Sequence, residues 1–304
     1  MEFLDKRVAV ICEQLKKLRV KQSVAIDGWR FKEGNFIHPE DVERSEGEWM
    51  QFDARTMHWY GPDKHYWFRG EYTVPESMNG ASMWLQVKTQ IDEWDDGKNP
   101  QFLLFLDDVP VQGIDMNHRE VLIADKAQAG RTYKFDLQSY TGTLHSEFNL
   151  VVYIQEIDLA VQKLYYDLWV PLSAFTRMGK EDKVRMDILT VLNETINLID
   201  LRNPYSEEFF ASIQEANAYI DKALYTDLAG FDEIIATCIG HTHIDVAWWW
   251  TVEQTREKVG RSFATDCFTR NFFSCSQITA TLLSKNSIHN LLLLFSLNPY
   301  CRMW

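Results

Sequence analysis

Residues 233–250 read EIIATCIGHTHIDVAWWW. The first seven are a short, nearly continuous apolar run, which suits a strand buried on both faces as in a parallel α/β sheet. Folds of that class carry their chemistry just beyond the carboxyl ends of their strands. In an extended chain the side chains at i, i+2 and i+4 share a face, so His241, His243 and Asp245 point the same way. Two imidazoles and a carboxylate converging at a strand end can chelate a divalent metal, and the nitrogen and oxygen donors favour zinc. Trp248, Trp249 and Trp250 follow at once. An aromatic ring beside a metal is a natural platform for the apolar C–H face of a sugar. Taken singly, each feature has a plainer reading. A lone H-x-H is often a satisfied core pair, and a tryptophan triplet is more often packing than a site. The apolar run before the motif and the aligned Asp245 together favour a site.

Upstream, residues 48–175 are dense in aromatic and β-branched residues and are cut at intervals by Gly, Pro, Asn and Asp. Met83, Leu85 and Val87 alternate with Trp84, Gln86 and Lys88, and Tyr133, Phe135 and Leu137 alternate with Lys134 and Asp136. Phe148, Leu150, Val152 and Ile154 mark one face of a longer strand. Period two between turn residues predicts an antiparallel β-sandwich. Near residue 180 the period changes to that of a helix. Ile188, Leu192, Ile196 and Ile199 share one face, Asn203-Pro204 breaks it, and Phe209, Ile213, Ala216, Ile220 and Leu224 mark a second helix. The chain is thus expected to be multidomain. The expected order is an N-terminal helix and lead-in (1–47), a β-sandwich (48–175), a helical linker (176–230), the first strand-helix unit of an α/β barrel catalytic domain (231–265) and an aberrant low-charge tail (266–304).

Composition narrows the partners. The 304 residues are 46% hydrophobic and 25% charged, the balance of a globular protein, and the formal net charge of -13 argues against a nucleic-acid backbone as partner. The N-terminal stretch lacks the apolar run of a signal peptide, and no 18 consecutive apolar residues suggest a membrane span, so a cytoplasmic location is expected. Five cysteines, Cys12, Cys238, Cys267, Cys275 and Cys301, form no CxxC pair and point neither to a disulfide framework nor to a thiolate zinc site.

The sequence GHTHIDVAW (240–248), followed by TVEQTREKVGRSFAT (251–265), resembles the opening of the catalytic domain of family 38 glycoside hydrolases, the α-mannosidases of bacterial and cytosolic type. WFRGEYTVPE (67–76) and the strand-rich stretch around it are similar to the sandwich that precedes the barrel in that family. The resemblance implies that His243 and Asp245 hold a zinc ion, that Trp248 packs under the bound mannose, and that His241 supports the metal ligands from behind. It implies hydrolysis of terminal α-mannosides with retention, by a carboxylate nucleophile and an acid/base carboxyl. The nucleophile and two further zinc ligands lie far downstream in the family, so this chain is expected to be an inactive fragment. An α-mannoside or oligosaccharide is the expected partner, and a homo-oligomer is left open. Two other functions compete: an amidohydrolase-like metal hydrolase, whose barrels also begin with H-x-H, and a non-catalytic carbohydrate-binding module.

Residues 267–304 contain no Asp or Glu, although 43 of the 44 in the chain lie before Asp266. At the earlier density about six would be expected there, so the reading predicts a shifted frame near Thr265 or Asp266. The acidic loop Asp92-Glu93-Trp94-Asp95-Asp96-Gly97 lacks the ligand spacing of a calcium loop, and His118 is expected in a surface loop. Glu253, Arg256, Glu257 and Lys258 are expected to pair with one another along the first barrel helix.

Overall fold

A computed structural model describes residues 3–89, 100–115, 118–143, 147–228, 244–247, 250–272, 280–282 and 293–295. Helix α1 (Leu4–Leu18) leads into β1 (Val20–Ala25), β2 (Arg30–Glu33), the short helix α2 (Pro39–Arg44), β3 (Met50–Gln51), β4 (Trp59–Tyr60) and β5 (His65–Thr73). Next come β6 (Met83–Lys88), β7 (Gln101–Leu106), β8 (Val109–Ile114), β9 (Glu120–Ala124), β10 (Thr132–Tyr140), β11 (Glu147–Phe148) and β12 (Val151–Ile157). Then follow α3 (Leu159–Arg177), α4 (Lys183–Asn197), α5 (Glu207–Ile220) running into a wider π turn (Asp221–Leu228), α6 (Val252–Phe272), and the short strands β13 (Ala280–Leu282) and β14 (Leu293–Phe295). The chain divides into two compact units. Residues 1–21, 157–239 and 276–304 form one, and 22–156 with 240–275 form the other.

The second unit is built on two sheets, ordered β1-β12-β6-β9 and β3-β2-β5-β10-β7-β8. The central pairs, β10 with β5 and β7, and β6 with β12 and β9, are antiparallel. The antiparallel, β-rich character expected from the alternation is what the chain adopts. Met83, Leu85, Val87, Val152 and Ile154 from one sheet share a core with Phe68, Phe102, Leu104, Phe135 and Leu137 from the other. Each such side chain contributes roughly 2 to 3 kcal/mol by leaving water. The pleat sends Lys134, Asp136 and Gln138 of β10 to the opposite face. That outer face is also covered, because Val42 of α2 packs with Trp67, Leu103 and Phe105. Asp136 is therefore fully buried, with Arg69 Nε donating to its Oδ1 at 2.6 Å. β7 and β8 are joined through Asp107 and Asp108, whose φ values of 50° and 69° are those of a hairpin turn with two left-handed residues.

The helical unit differs from the reading at one place. Residues 159–175, expected within the sandwich, belong to helix α3, and the strands of the two large sheets end at Ile157. Asp158 fixes the change, its Oδ1 accepting from the N–H groups of Ala160 and Val161. Val161, Leu164, Tyr165, Leu168, Leu172 and Phe175 do keep helical spacing, but the density of aromatic and β-branched residues and the interior Pro171 give the stretch the composition of strands. Helices α4 and α5 follow the predicted faces, with Ile188, Leu192 and Ile196, then Phe209, Ile213, Ala216 and Ile220, all buried. They enclose one core with α1 (Val8, Cys12, Leu15) and α3. Burial pushes the Cys12 thiol up to about 12, with Glu13 adding to the effect, so it behaves as a packing residue. Asp167 of α3 is buried as well, between Lys163 Nζ at 2.6 Å and the Tyr225 hydroxyl at 3.1 Å.

The strand expected at 233–239 and the acidic loop at 92–97 lie outside the described residues. The helix expected after them is present as α6, and its backbone runs past residue 265 to Phe272.

Candidate functional site

Asp245 is exposed, within the short described segment 244–247 that leads toward α6. His241, His243 and Trp248 lie outside the described residues. Among the described residues no three His, Cys, Asp or Glu side chains gather as a metal site. What the structure supplies is the way Asp245 and its neighbours are tied down. The Trp250 indole N–H donates to the carbonyl of Asp245 at 3.2 Å. The Ala247 N–H donates to Thr255 Oγ1 at 3.2 Å, with Ala247 in the left-handed region at φ 56°. Thr255 Oγ1 in turn donates to the carbonyl of Thr251 at 3.1 Å.

Helix α6 begins with a reciprocal cap. Thr251 Oγ1 accepts from the Gln254 N–H at 3.3 Å, and Gln254 Oε1 accepts from the Thr251 N–H at 3.2 Å. Each satisfies a donor that helix geometry would leave without an intrahelical partner. The other end of the Gln254 amide reaches the sandwich. Its Nε2 donates to Asp63 Oδ1 at 2.9 Å and to the Tyr140 hydroxyl, while that hydroxyl donates to Asp63 Oδ1 at 2.9 Å. Burial, reinforced by Asp63, pushes the Tyr140 phenol well above its ordinary range, so it stays a donor.

Further along α6 the contacts remain polar. His65 Nε2 meets Glu257 Oε1 at 2.7 Å, and Arg261 Nη2 donates to Gln101 Oε1 at 2.7 Å. Glu257 also faces Arg261 at 3.6 Å. The expected pairing among Glu253, Arg256, Glu257 and Lys258 is thus replaced, for Glu257, by partners on β5 and one turn ahead, while Glu253 and Arg256 are exposed. The Lys258 ammonium stands 4.1 Å from the Trp250 ring centroid. Burial and the neighbouring Arg261 bring its pKa down to about 8. The helix can lie this close because Gly113 of β8 has no side chain. A Cβ there would stand 2.9 Å from Arg261 Cβ and 3.1 Å from its carbonyl oxygen. His118 pairs with Asp115 at 2.7 Å, in a loop.

Sequence reading found the H-x-H-x-D segment and missed this polar brace. Thr251-x-x-Gln254 was the available signal, since a hydroxyl followed three residues later by an amide is a helix-start pattern. Nothing in the order of residues points from Gln254 to Tyr140.

Comparison with known proteins finds one family over part of the chain. Residues 233–277 match the family described as glycosyl hydrolases family 38 N-terminal domain. Beyond that segment, most of the chain is similar to curated α-mannosidases at low identity. Alpha-mannosidase 2C1 of Homo sapiens is 25% identical over 269 residues, covering 80% of this chain and 24% of that protein. Alpha-mannosidase G of Dictyostelium discoideum is 21% identical over 84% of this chain and 23% of its own length. The alpha-mannosidase of Saccharomyces cerevisiae is 21% identical over 74% and 22%. The chain spans about a quarter of the length of the curated relatives it matches. Likeness to solved structures is slight: a b-glucuronidase from Ruminococcus gnavus in complex with C6-substituted uronic isofagomine aligns over 45% of this chain and 29% of its own, at 11% identity and a TM-score of 0.30.

Proposed function

We propose that the chain supplies the sandwich and the first part of the active site of a zinc-dependent α-mannosidase that cleaves terminal α-mannosides with retention. The observation that carries this is the family match over 233–277, which falls on the segment where imidazole, carboxylate and indole groups cluster. In this reading His243 and Asp245 are two ligands of one zinc ion, His241 supports them, and Trp248 lies under the mannose ring. The donor set fits the metal in kind, one nitrogen and one oxygen, and Asp245 is exposed where an ion can reach it. A bound zinc would grip sugar hydroxyls and favour ring distortion toward the transition state. The chain's own contribution is to hold Asp245 at a fixed place through Trp250 and Thr255 and to offer the indole face to the sugar's C–H surface.

Catalytic zinc normally has three protein ligands or more, so a site of two is weak and lacks the nucleophile. The 304-residue chain is accordingly expected to bind zinc and not to hydrolyse 4-nitrophenyl α-mannoside. A cytoplasmic setting belongs to the same proposal; among the described residues no helix is long and apolar enough to cross a membrane. Calorimetric titration with Zn2+ tests the ligand assignment. One site per chain is expected, weakened about tenfold or more by Asp245→Asn or His243→Ala. Equal binding by parent and variants, or zinc-dependent hydrolysis by the chain alone, would overturn it.

A further inference from the structure

Gln254 is the only residue described as touching both the start of α6 and the sandwich rim with the two ends of one amide. Its carbonyl end accepts from the Thr251 N–H, and its amino end donates to Asp63 and Tyr140. Gln254 and Tyr140 are both buried, and Asp63 closes the triangle from the exposed rim at φ 54°. A glutamate would serve the cap equally well, since either residue completes the motif. It would not serve the second task, because an ionised carboxylate has no proton to give and would face the Asp63 carboxylate at hydrogen-bond distance. The amide at this position is therefore explained by the sandwich and not by the helix.

We propose that Tyr140 and Asp63, acting through Gln254, are positioning residues that set where the start of α6, and with it Asp245, is held. The connection is continuous: Gln254 fixes Thr251, the Thr251 carbonyl engages Thr255 Oγ1, and that oxygen holds the Ala247 N–H two residues beyond Asp245. The inference deepens the metal reading of Asp245 and rests on it for its functional meaning. The mechanical claim stands on the hydrogen bonds alone. A sandwich attached ahead of a catalytic region then has a definite role, to orient the first ligand segment.

The test is amide hydrogen exchange at Ala247 and Thr251, read by 15N NMR on the full chain. In Gln254→Glu the tie to Asp63 is lost, the helix start opens more often, and the Thr251 and Ala247 amides both exchange about tenfold faster, the effect of losing roughly one buried hydrogen bond. Tyr140→Phe gives a smaller acceleration at Ala247 and stands in for Gln254→Glu if that variant fails to fold. The double variant Asp63→Asn/Gln254→Glu exchanges donor for acceptor across the contact, and protection at Ala247 returns. Unchanged exchange in Gln254→Glu and Tyr140→Phe, or no recovery in the double variant, overturns the proposal. Zinc titration of Asp245→Asn keeps the two ideas apart: if the exchange pattern holds while zinc binding ignores Asp245, positioning stands and the metal assignment falls.

Discussion

Asp136 shows how much a single position depends on its surroundings. Its carboxylate lies on the outer face of a sheet, yet it is fully buried because α2 and the Trp49 ring, which stacks on Arg69, cover it. Removing one partner of such a pair leaves an uncompensated buried charge. Asp136→Ala should cost about 3 kcal/mol in urea unfolding, since Arg69 keeps only the half-exposed Glu43. Lys258 offers a pH test. Its folded pKa of about 8 lies below the ordinary lysine value, so between those two points the unfolded chain holds a proton that the folded chain has released. Stability from this group therefore rises with pH across that window and is flat below it. Above pH 9 the opposite trend enters, because the folded state keeps the Cys12 and Tyr140 protons that the unfolded chain loses. Comparing thermal midpoints of the parent and Lys258→Met from pH 7 to 10 isolates the lysine. The parent should gain on the variant from pH 8 upward, and parallel profiles would refute the assignment.

At the scale of elements, α6 is held to the sandwich by polar contacts, by the packing of Ala264 on the Trp67–Leu103–Phe105 cluster and by one absent side chain. Gly113→Ala places a methyl group against the Arg261 backbone, which cannot swing aside, so the helix must shift. A loss of about 1 to 3 kcal/mol is expected, with exchange protection falling along α6 while β10 keeps its own. Thr251→Ala removes one half of the cap and should cost about 1 kcal/mol. These features also mark the limits of sequence reading. Strands such as β10, and helices α4 and α5, were legible because one face is apolar and the other is not. Helix α3 was hidden because its aromatic and β-branched residues and Pro171 resemble strand composition although its buried positions keep helical spacing, and the docked face of α6 was hidden because Gln254, Thr255 and Arg261 carry no apolar period. The H-x-H-x-D segment was legible because its residue types are chemically unusual together. Its brace was not, since Tyr140 and Gln254 lie more than a hundred residues apart and meet only through the fold.

At the scale of the whole molecule, the two largest hydrophobic cores among the described residues lie between the sheets and among the helices. Phe135→Ala and Leu168→Ala should each cost about 3 to 4 kcal/mol, and the double variant should lose the sum because the two side chains share no neighbours. Limited proteolysis separates them: the first variant should be cut within the strands, the second within the helices, and identical cleavage patterns would mean the cores are not independent.

Helix α1 has a consequence for synthesis. Its apolar side chains Val8, Cys12 and Leu15 find their partners on α3 and α4, which begin at Leu159 and Lys183. On a ribosome adding about 5 to 20 residues per second, α1 emerges roughly 10 to 30 s before the surface that covers it. The sandwich is made in that interval and can fold first, since its sheets pair with one another. α1 waits meanwhile as an uncovered amphipathic helix, available to a chaperone. Helix α3, the next element of the helical core to be translated, is thus the one that first shelters its oldest.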